Sequence, residues 1–452
     1  MWFSYSVLCQ YLDKYSTRRP NEKLLPHPAS QINHSLSPSR SQKWRKASED
    51  LDSIYWRRDA GIMLWDMMEM AGYTNQSQEF HSDFFSRNTA KFLGPHPEGS
   101  QKSDSWKSFM TDDHTPIEFS WNWSAKRMTP SVRYSVDPIG NSAGTRIDPF
   151  NTYESIEFLE KTLRLAPGID LGWYEYFTKM LTISGTELAH QELMSSKVPK
   201  SQQFLAFELV DESVMAKVYF LPQWKAISTG GSTLSVVEKS IRELESYDPS
   251  LTAAFDIIAN FIRSFPKEER PEVEIVAIDC IDPARSRIKI YLRSRETSFN
   301  SVIDMMTLGG RLPSMTEKGL ISLDDLWCSV LSLDHSGITL PEQTHRTAGI
   351  LYYFELKAGS TLPKSKVYIP AKHYGGNDQA VAFGLSKFLG KRGQCMADGS
   401  TYLNSITQLC KHRELADGLG FHTYISCAVD GDDLNVTSYY NPEIYHTSRL
   451  LN

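Results

Sequence analysis

A cation and a tyrosine stand two residues apart in Lys217-Val218-Tyr219. The pairing recurs in Arg287-Ile288-Lys289-Ile290-Tyr291 and Lys366-Val367-Tyr368, with an altered copy in His422-Thr423-Tyr424. Residues two apart on a β-strand share a face. Each copy therefore sets a positive or polar head and a phenol ring on one side, and residues such as Val218, Ile288, Ile290 and Val367 on the other. If these faces line one cavity, Arg133, Lys217, Arg287, Lys289 and Lys366 converge in it. Unpaired buried charge is costly, so such a cluster calls for an anion. A diphosphate fits, because Arg gives bidentate contacts and Lys a point charge. Tyr219, Tyr291, Tyr368 and Tyr424 add hydroxyls and ring faces, and a ring face attracts a cation by about 0.5–2 kcal/mol. A diphosphate grip inside a cage of rings suits ionisation of an allylic diphosphate. The leaving group is stabilised and the carbocation is held away from water, with an electron-rich acceptor in the same cavity.

The elements that must position these residues follow one grammar. Period-two alternation predicts strand pairs over 117–123 and 131–136, 204–210 and 214–221, 273–280 and 286–293, 348–356 and 365–370, and 420–429 and 434–440. Helical spacing precedes each pair, over 47–72 and 76–91, 152–165 and 172–183, 232–246 and 250–265, 296–307 and 321–333, and 377–390 and 400–413. The result is five ααββ units with ten strands. An open sheet of that size would leave two long edges, and closure into a barrel removes them. The expected fold is α/β (α+β): a ten-stranded antiparallel barrel of five ααββ repeats with helices outside. For any single hairpin the polar face could instead point to solvent. Its recurrence at matching places in successive units favours the lumen.

The 452 residues carry a net charge of −6, which fits a globular protein and argues against non-specific nucleic-acid binding. No apolar run reaches the roughly 18 residues that span a bilayer. The first residues lack the basic start of a signal peptide, and Asp13 and Lys14 interrupt them. The six cysteines form no CxxC pair, so reduced thiols in a cytoplasmic protein are expected. Residues 1–46, rich in Pro, Ser, Arg and Lys, read as a flexible extension ahead of a single domain over 47–452. The acidic pairs Asp112-Asp113, Asp324-Asp325 and Asp432-Asp433 lack the third acid of a magnesium-binding DDxxD cluster, and Asp430-Gly431-Asp432-Asp433 reads as a hairpin turn. No essential metal is expected, since cations supply the neutralisation. His114 reads as a loop histidine held by a hydrogen bond.

Several stretches together carry a resemblance. They are Pro116-Ile117-Glu118-Phe119-Ser120-Trp121-Asn122-Trp123, Val132-Arg133-Tyr134-Ser135, Asp148-Pro149-Phe150-Asn151, the three cation–tyrosine strands, and Thr423-Tyr424-Ile425-Ser426. From about residue 50 onward the chain resembles the fungal indole prenyltransferases of the dimethylallyltryptophan synthase type. The resemblance implies the ABBA prenyltransferase barrel and transfer of a dimethylallyl group from dimethylallyl diphosphate to an aromatic carbon, usually of an indole. It places Glu118 as acceptor of the indole N–H bond, and Arg133, Lys217, Arg287, Lys289 and Lys366 at or beside diphosphate positions. Tyr219, Tyr291, Tyr368 and Tyr424 match its cation shield, and Met110 an apolar wall of the acceptor pocket. Its tryptophan-specific members carry a lysine before the Lys217 strand, where Gln202, Gln203, Phe204 and Leu205 stand here. His422 stands where relatives often carry a cation. An indole diterpene is accordingly the expected acceptor, with a tryptophan-derived cyclic dipeptide or other aromatic as the alternative. The expected partners are these two small molecules, with no nucleic acid and no membrane span; a homodimer stays open. A non-catalytic isoprenoid or anion carrier is the alternative from another class, and Glu118 argues against it. An RNA-binding repeat protein is a third, disfavoured by the net charge.

Overall fold

The structure, a computed structural model, describes residues 51–99, 106–163, 166, 168–183 and 199–450; the 1–46 extension lies outside them. Ten strands form the barrel: β1 (Ile117–Trp123), β2 (Ser131–Val136), β3 (Gln203–Val210), β4 (Ser213–Phe220), β5 (Glu272–Asp279), β6 (Arg287–Ser294), β7 (Ile350–Lys357), β8 (Lys364–Ile369), β9 (His422–Asp430) and β10 (Asp433–Tyr440). Each pairs with its sequence neighbour, β10 pairs with β1, and the sheet closes. Every pairing is antiparallel.

Alternation decides what faces where. Phe119, Trp121, Trp123, Phe207, Phe220, Ile288, Ile290, Tyr352, Phe354, Val367 and Ile425 are buried in one apolar cluster shared with the surrounding helices. The alternates Arg133, Glu208, Lys217, Lys289, Lys366, Tyr353 and Tyr439 line a cavity inside the sheet. The polar faces therefore point inward. Helices coat the outside because each has an apolar stripe to bury. The helix Pro249–Arg263 starts on the Asp248 cap and buries Leu251, Phe255, Ile258 and Ile262.

Local features differ from the expected pattern, among them a π turn at Phe85–Thr89 that interrupts the helix expected over 76–91. The helix over 47–72 is interrupted by a π turn at Arg57–Gly61, next to the buried Arg57, whose guanidinium donates to the Ser53 carbonyl and the Ser86 hydroxyl. It still ends at Gly72, at φ 81°. Two short helices, Gln223–Thr229 and Ala371–Tyr374, follow directly on β4 and β8. They are too short to register as a 3.6-residue period.

The outer layer is closely packed. A Cβ on Gly384 would lie 1.8 Å from the Ser329 carbonyl oxygen, so the helix Asp378–Gly390 meets Glu317–Leu331 backbone to backbone. Gly384→Ala is expected to destabilise the fold by about 1–3 kcal/mol, read as a lower melting temperature.

Candidate active site

Two connected chambers occupy the lumen. At the hairpin-turn end, a polar chamber of about 530 Å³ is lined by Arg133, Lys217, Arg287, Lys289 and Lys366, together with Lys126 and Arg127 from the β1–β2 loop. All five cations expected to converge do so. Tyr219, Tyr291 and Tyr368 line this chamber and also the second one. They form a belt: Tyr219 and Tyr291 have ring centroids 6.0 Å apart, Tyr291 and Tyr368 5.7 Å. The Tyr291 and Tyr368 hydroxyls are 3.3 Å apart. Tyr353 and Tyr439 complete the belt, at 5.4 Å from Tyr291 and 5.7 Å from Tyr368. Sequence reasoning missed both. Each stands two residues from a lumenal polar residue, Glu355 and Thr437, and that alternation was the available signal.

The chamber is not purely cationic. Glu208 on β3 accepts from Arg133 and Lys217, both at 2.7 Å. Asp279 on β5 accepts from Arg287 at 2.5 Å and from Lys289 at 2.9 Å. Burial opposes charge on both carboxyls, but the flanking cations override it and hold them far below the usual range. Lys366 differs. Among the described residues it has no carboxylate within ion-pair distance; its ammonium donates to Thr437 at 3.1 Å and lies 5.5 Å from the Tyr368 ring centre. Burial, reinforced by Arg133, lowers its pKa to about 7.

The second chamber, about 140 Å³, lies beyond the belt toward the other end of the barrel. Glu118, Met110, Phe109, Phe204, Tyr424, Thr423, Arg293, Arg346 and Lys372 are among its walls. Phe204 stacks on Tyr219 at 4.4 Å and 12°. Tyr424 lines this chamber and not the cationic one. The loop bearing Met110 is anchored by Asp137, which accepts from Ser108 at 2.8 Å and from Ser201 at 3.2 Å. Thr423 donates to Glu118 at 2.6 Å. Burial outweighs that bond and raises the Glu118 carboxyl to about 7. A carboxyl at that value can take up a proton near neutrality.

Two bulges build this end. On β9, Ser438 pairs with Ile425 but Tyr440 with His422, so Thr423 and Tyr424 together oppose Tyr439. On β5, Val273 pairs with Leu292 but Ile275 with Tyr291, leaving Glu274 extra. A bulge re-aims side chains. Here Thr423 and Tyr424 both line the chamber, as do Glu274 and Ile275. Glu274 meets Arg293 in a two-bond pair of 2.7 and 2.9 Å. The short helices found after β4 and β8 supply Gln223 and Lys372, and Lys372 pairs with Asp112 at 2.8 Å.

The β9 bulge overturns the placement of His422 in the ring of cations. Its ring is fully buried on the helix side, with Nδ1 2.9 Å from Asp378 and Nε2 2.9 Å from the Tyr402 hydroxyl. Glu118 shares the lumen with other carboxylates, Glu208, Glu274, Asp279 and Glu355. His114 is a loop residue, φ 70°, with Nδ1 2.9 Å from the Ser108 carbonyl. Asp430 closes β9 and Asp433 opens β10, so that acidic stretch is a hairpin turn. His422→Leu is expected to lower the melting temperature, because it strands part of the Asp378 network at a cost of about 1–3 kcal/mol. The donor KM should stay within about two-fold, since the ring lies outside the lumen; steady-state kinetics checks this.

Residues 52–404 match the family described as tryptophan dimethylallyltransferase. A 4-O-dimethylallyl-L-tyrosine synthase of Claviceps purpurea is 44% identical over 398 residues, covering 87% of this chain and 89% of the relative. A 7-dimethylallyltryptophan synthase of Aspergillus fumigatus is 32% identical over 410 residues, covering 87% and 86%. Among solved structures, NotF in complex with brevianamide F and DMSPP superposes with a TM-score of 0.76 at 23% identity, over 90% of this chain and 99% of that one, a likeness of fold. No helix among the described residues is long and apolar enough to cross a membrane. The chain belongs to the tryptophan dimethylallyltransferase family and is an aromatic prenyltransferase.

Proposed function

We propose that this enzyme moves a dimethylallyl group from dimethylallyl diphosphate to the side chain of a free aromatic amino acid, with a tyrosine phenol as its preferred acceptor. The observation that carries this is Glu118, held at a pKa of about 7 in the small chamber, across the tyrosine belt from the cations. In the reaction the donor C–O bond breaks and diphosphate departs onto Arg133, Lys217, Arg287, Lys289 and Lys366. The rings of Tyr219, Tyr291 and Tyr368 shield the allyl cation. The acceptor oxygen attacks it, and the phenol proton passes to Glu118. The same carboxylate would orient an indole N–H for attack from carbon. Met110, Phe204 and Tyr424 would pack the acceptor ring.

Two observations favour a small acceptor with a carboxylate, and a third favours a phenol. The chamber of about 140 Å³ is tight for a polycyclic indole diterpene. Arg346 stands in its wall, where a free carboxylate would be met, beside Arg293 and Lys372, which Glu274 and Asp112 hold. The 44% identical relative is named as a tyrosine enzyme. A mass-spectrometric screen of L-tyrosine, L-tryptophan, a tryptophan-containing cyclic dipeptide and an indole diterpene, each with dimethylallyl diphosphate, tests this. O-dimethylallyl tyrosine should form fastest. Preferred turnover of the diterpene or dipeptide would replace the acceptor assignment, and no product from any acceptor would leave the carrier reading. We also propose that the lumenal cations replace a metal in neutralising the donor. Rates in excess EDTA should match those without it; a loss restored by magnesium would refute that.

A further inference from the structure

We propose that Glu208 and Asp279 are positioning residues of the donor site, each holding two cations on neighbouring strands placed and charged for a diphosphate before it arrives. This rests on the reading of the cationic chamber as the donor site. Glu208 reaches from β3 to Arg133 on β2 and Lys217 on β4. Asp279 reaches from β5 to Arg287 and Lys289 on β6. Simple charge counting makes a carboxylate beside an anion site unfavourable, and neutralising one should then tighten anion binding.

The lysines argue the other way. A buried lysine among like charges sheds its proton unless an anion holds it. Lys289 faces Asp279 on β5, Arg287 on its own strand, Lys217 on β4, and Tyr353 and Glu355 on β7. With Asp279 attached it stays at about 8. Lys366, equally buried in the same chamber but without a carboxylate partner among the described residues, falls to about 7. Lys217 lies between Glu208 and Asp279, and both favour its charged form against burial and Arg133. Removing either carboxylate therefore lowers the charged fraction of its lysine at about pH 7.5, and frees a long side chain to move.

The test is calorimetric titration of the full chain with inorganic pyrophosphate at about pH 6.5 and about pH 7.5, on wild type, Glu208→Gln and Asp279→Asn. Each variant should bind about ten-fold more weakly than wild type at the higher pH and within about three-fold at the lower, where protons restore the lysine. Unchanged or tighter binding at about pH 7.5 would overturn the inference. So would an equal loss at both pH values with a lowered melting temperature, which marks a purely structural role. If Asp279→Asn does not fold, Glu208→Gln alone decides through Lys217. Failure of wild type to bind pyrophosphate at either pH would overturn the donor-site reading, and this inference with it.

Discussion

Glu118→Gln is expected to lower kcat by about 100- to 1000-fold, the usual worth of a positioned proton acceptor. The chain should nonetheless fold. Glutamine keeps the shape and can still accept from Thr423, which bonds Glu118 at 2.6 Å. The stability change has a defined sign. Burial raises the folded pKa of Glu118 from 4.5 to about 7, so the ionised form is the disfavoured one in the fold. The stability tied to the protonated carboxyl is full below 4.5 and lost as pH rises through about 7. The glutamine variant should therefore melt at a higher temperature than wild type above pH 7 and equally below pH 4.5. Wild-type kcat/KM for the acceptor should rise through pH 7 as the carboxylate forms, and the variant should lose that limb. Wild-type turnover from the glutamine enzyme would remove Glu118 from the chemistry.

Lys366→Met should lower kcat/KM for the donor by about 10- to 100-fold, the worth of one charge-assisted bond to a phosphate. This position is cleaner than its neighbours. Loss of Arg133 or Lys217 strands Glu208, and loss of Arg287 or Lys289 strands Asp279. An orphaned buried charge costs about 3–5 kcal/mol and would confuse folding with binding. Lys366 leaves only the Thr437 hydroxyl behind, and that already donates to Asn122. Burial depresses its folded pKa from 10.5 to about 7, so its charged form is the disfavoured one. That penalty is fully present below about pH 7 and fades as pH rises. The methionine variant should thus be more stable than wild type, most clearly below pH 7, while losing donor affinity. Thermal melts beside donor kinetics would show the two effects moving apart; unchanged donor kinetics would take Lys366 out of the site.

Much of this was legible in the chain. The strand of Lys217 and Tyr219 announces its two faces because Val218 and Phe220 alternate with them, and side-chain direction in a strand has period two. The same rule exposed the strands of Lys289 and Lys366. It failed at His422, because one bulge residue shifts every side chain beyond it to the other face. Bulges follow from closing and bending the sheet, and no residue type marks them. The short helices that bring Gln223 and Lys372 to the acceptor end were invisible for a related reason: seven and four residues are too few to show a period.

The sequence by itself determined the repeat and the inward cation and tyrosine faces, since these rest on local alternation, while Glu118 was singled out by the family resemblance. Only the tertiary structure decided which groups meet. Glu208 contacts Arg133, 75 residues away, and Thr423 reaches Glu118 across 305 residues. Contacts between strands depend on register around a closed barrel, which is set by packing of the whole sheet against its helices. The same closure sorted Tyr424 to the acceptor chamber, turned His422 out of the lumen, and gave two of the lysines a carboxylate, while Lys366 meets none among the described residues.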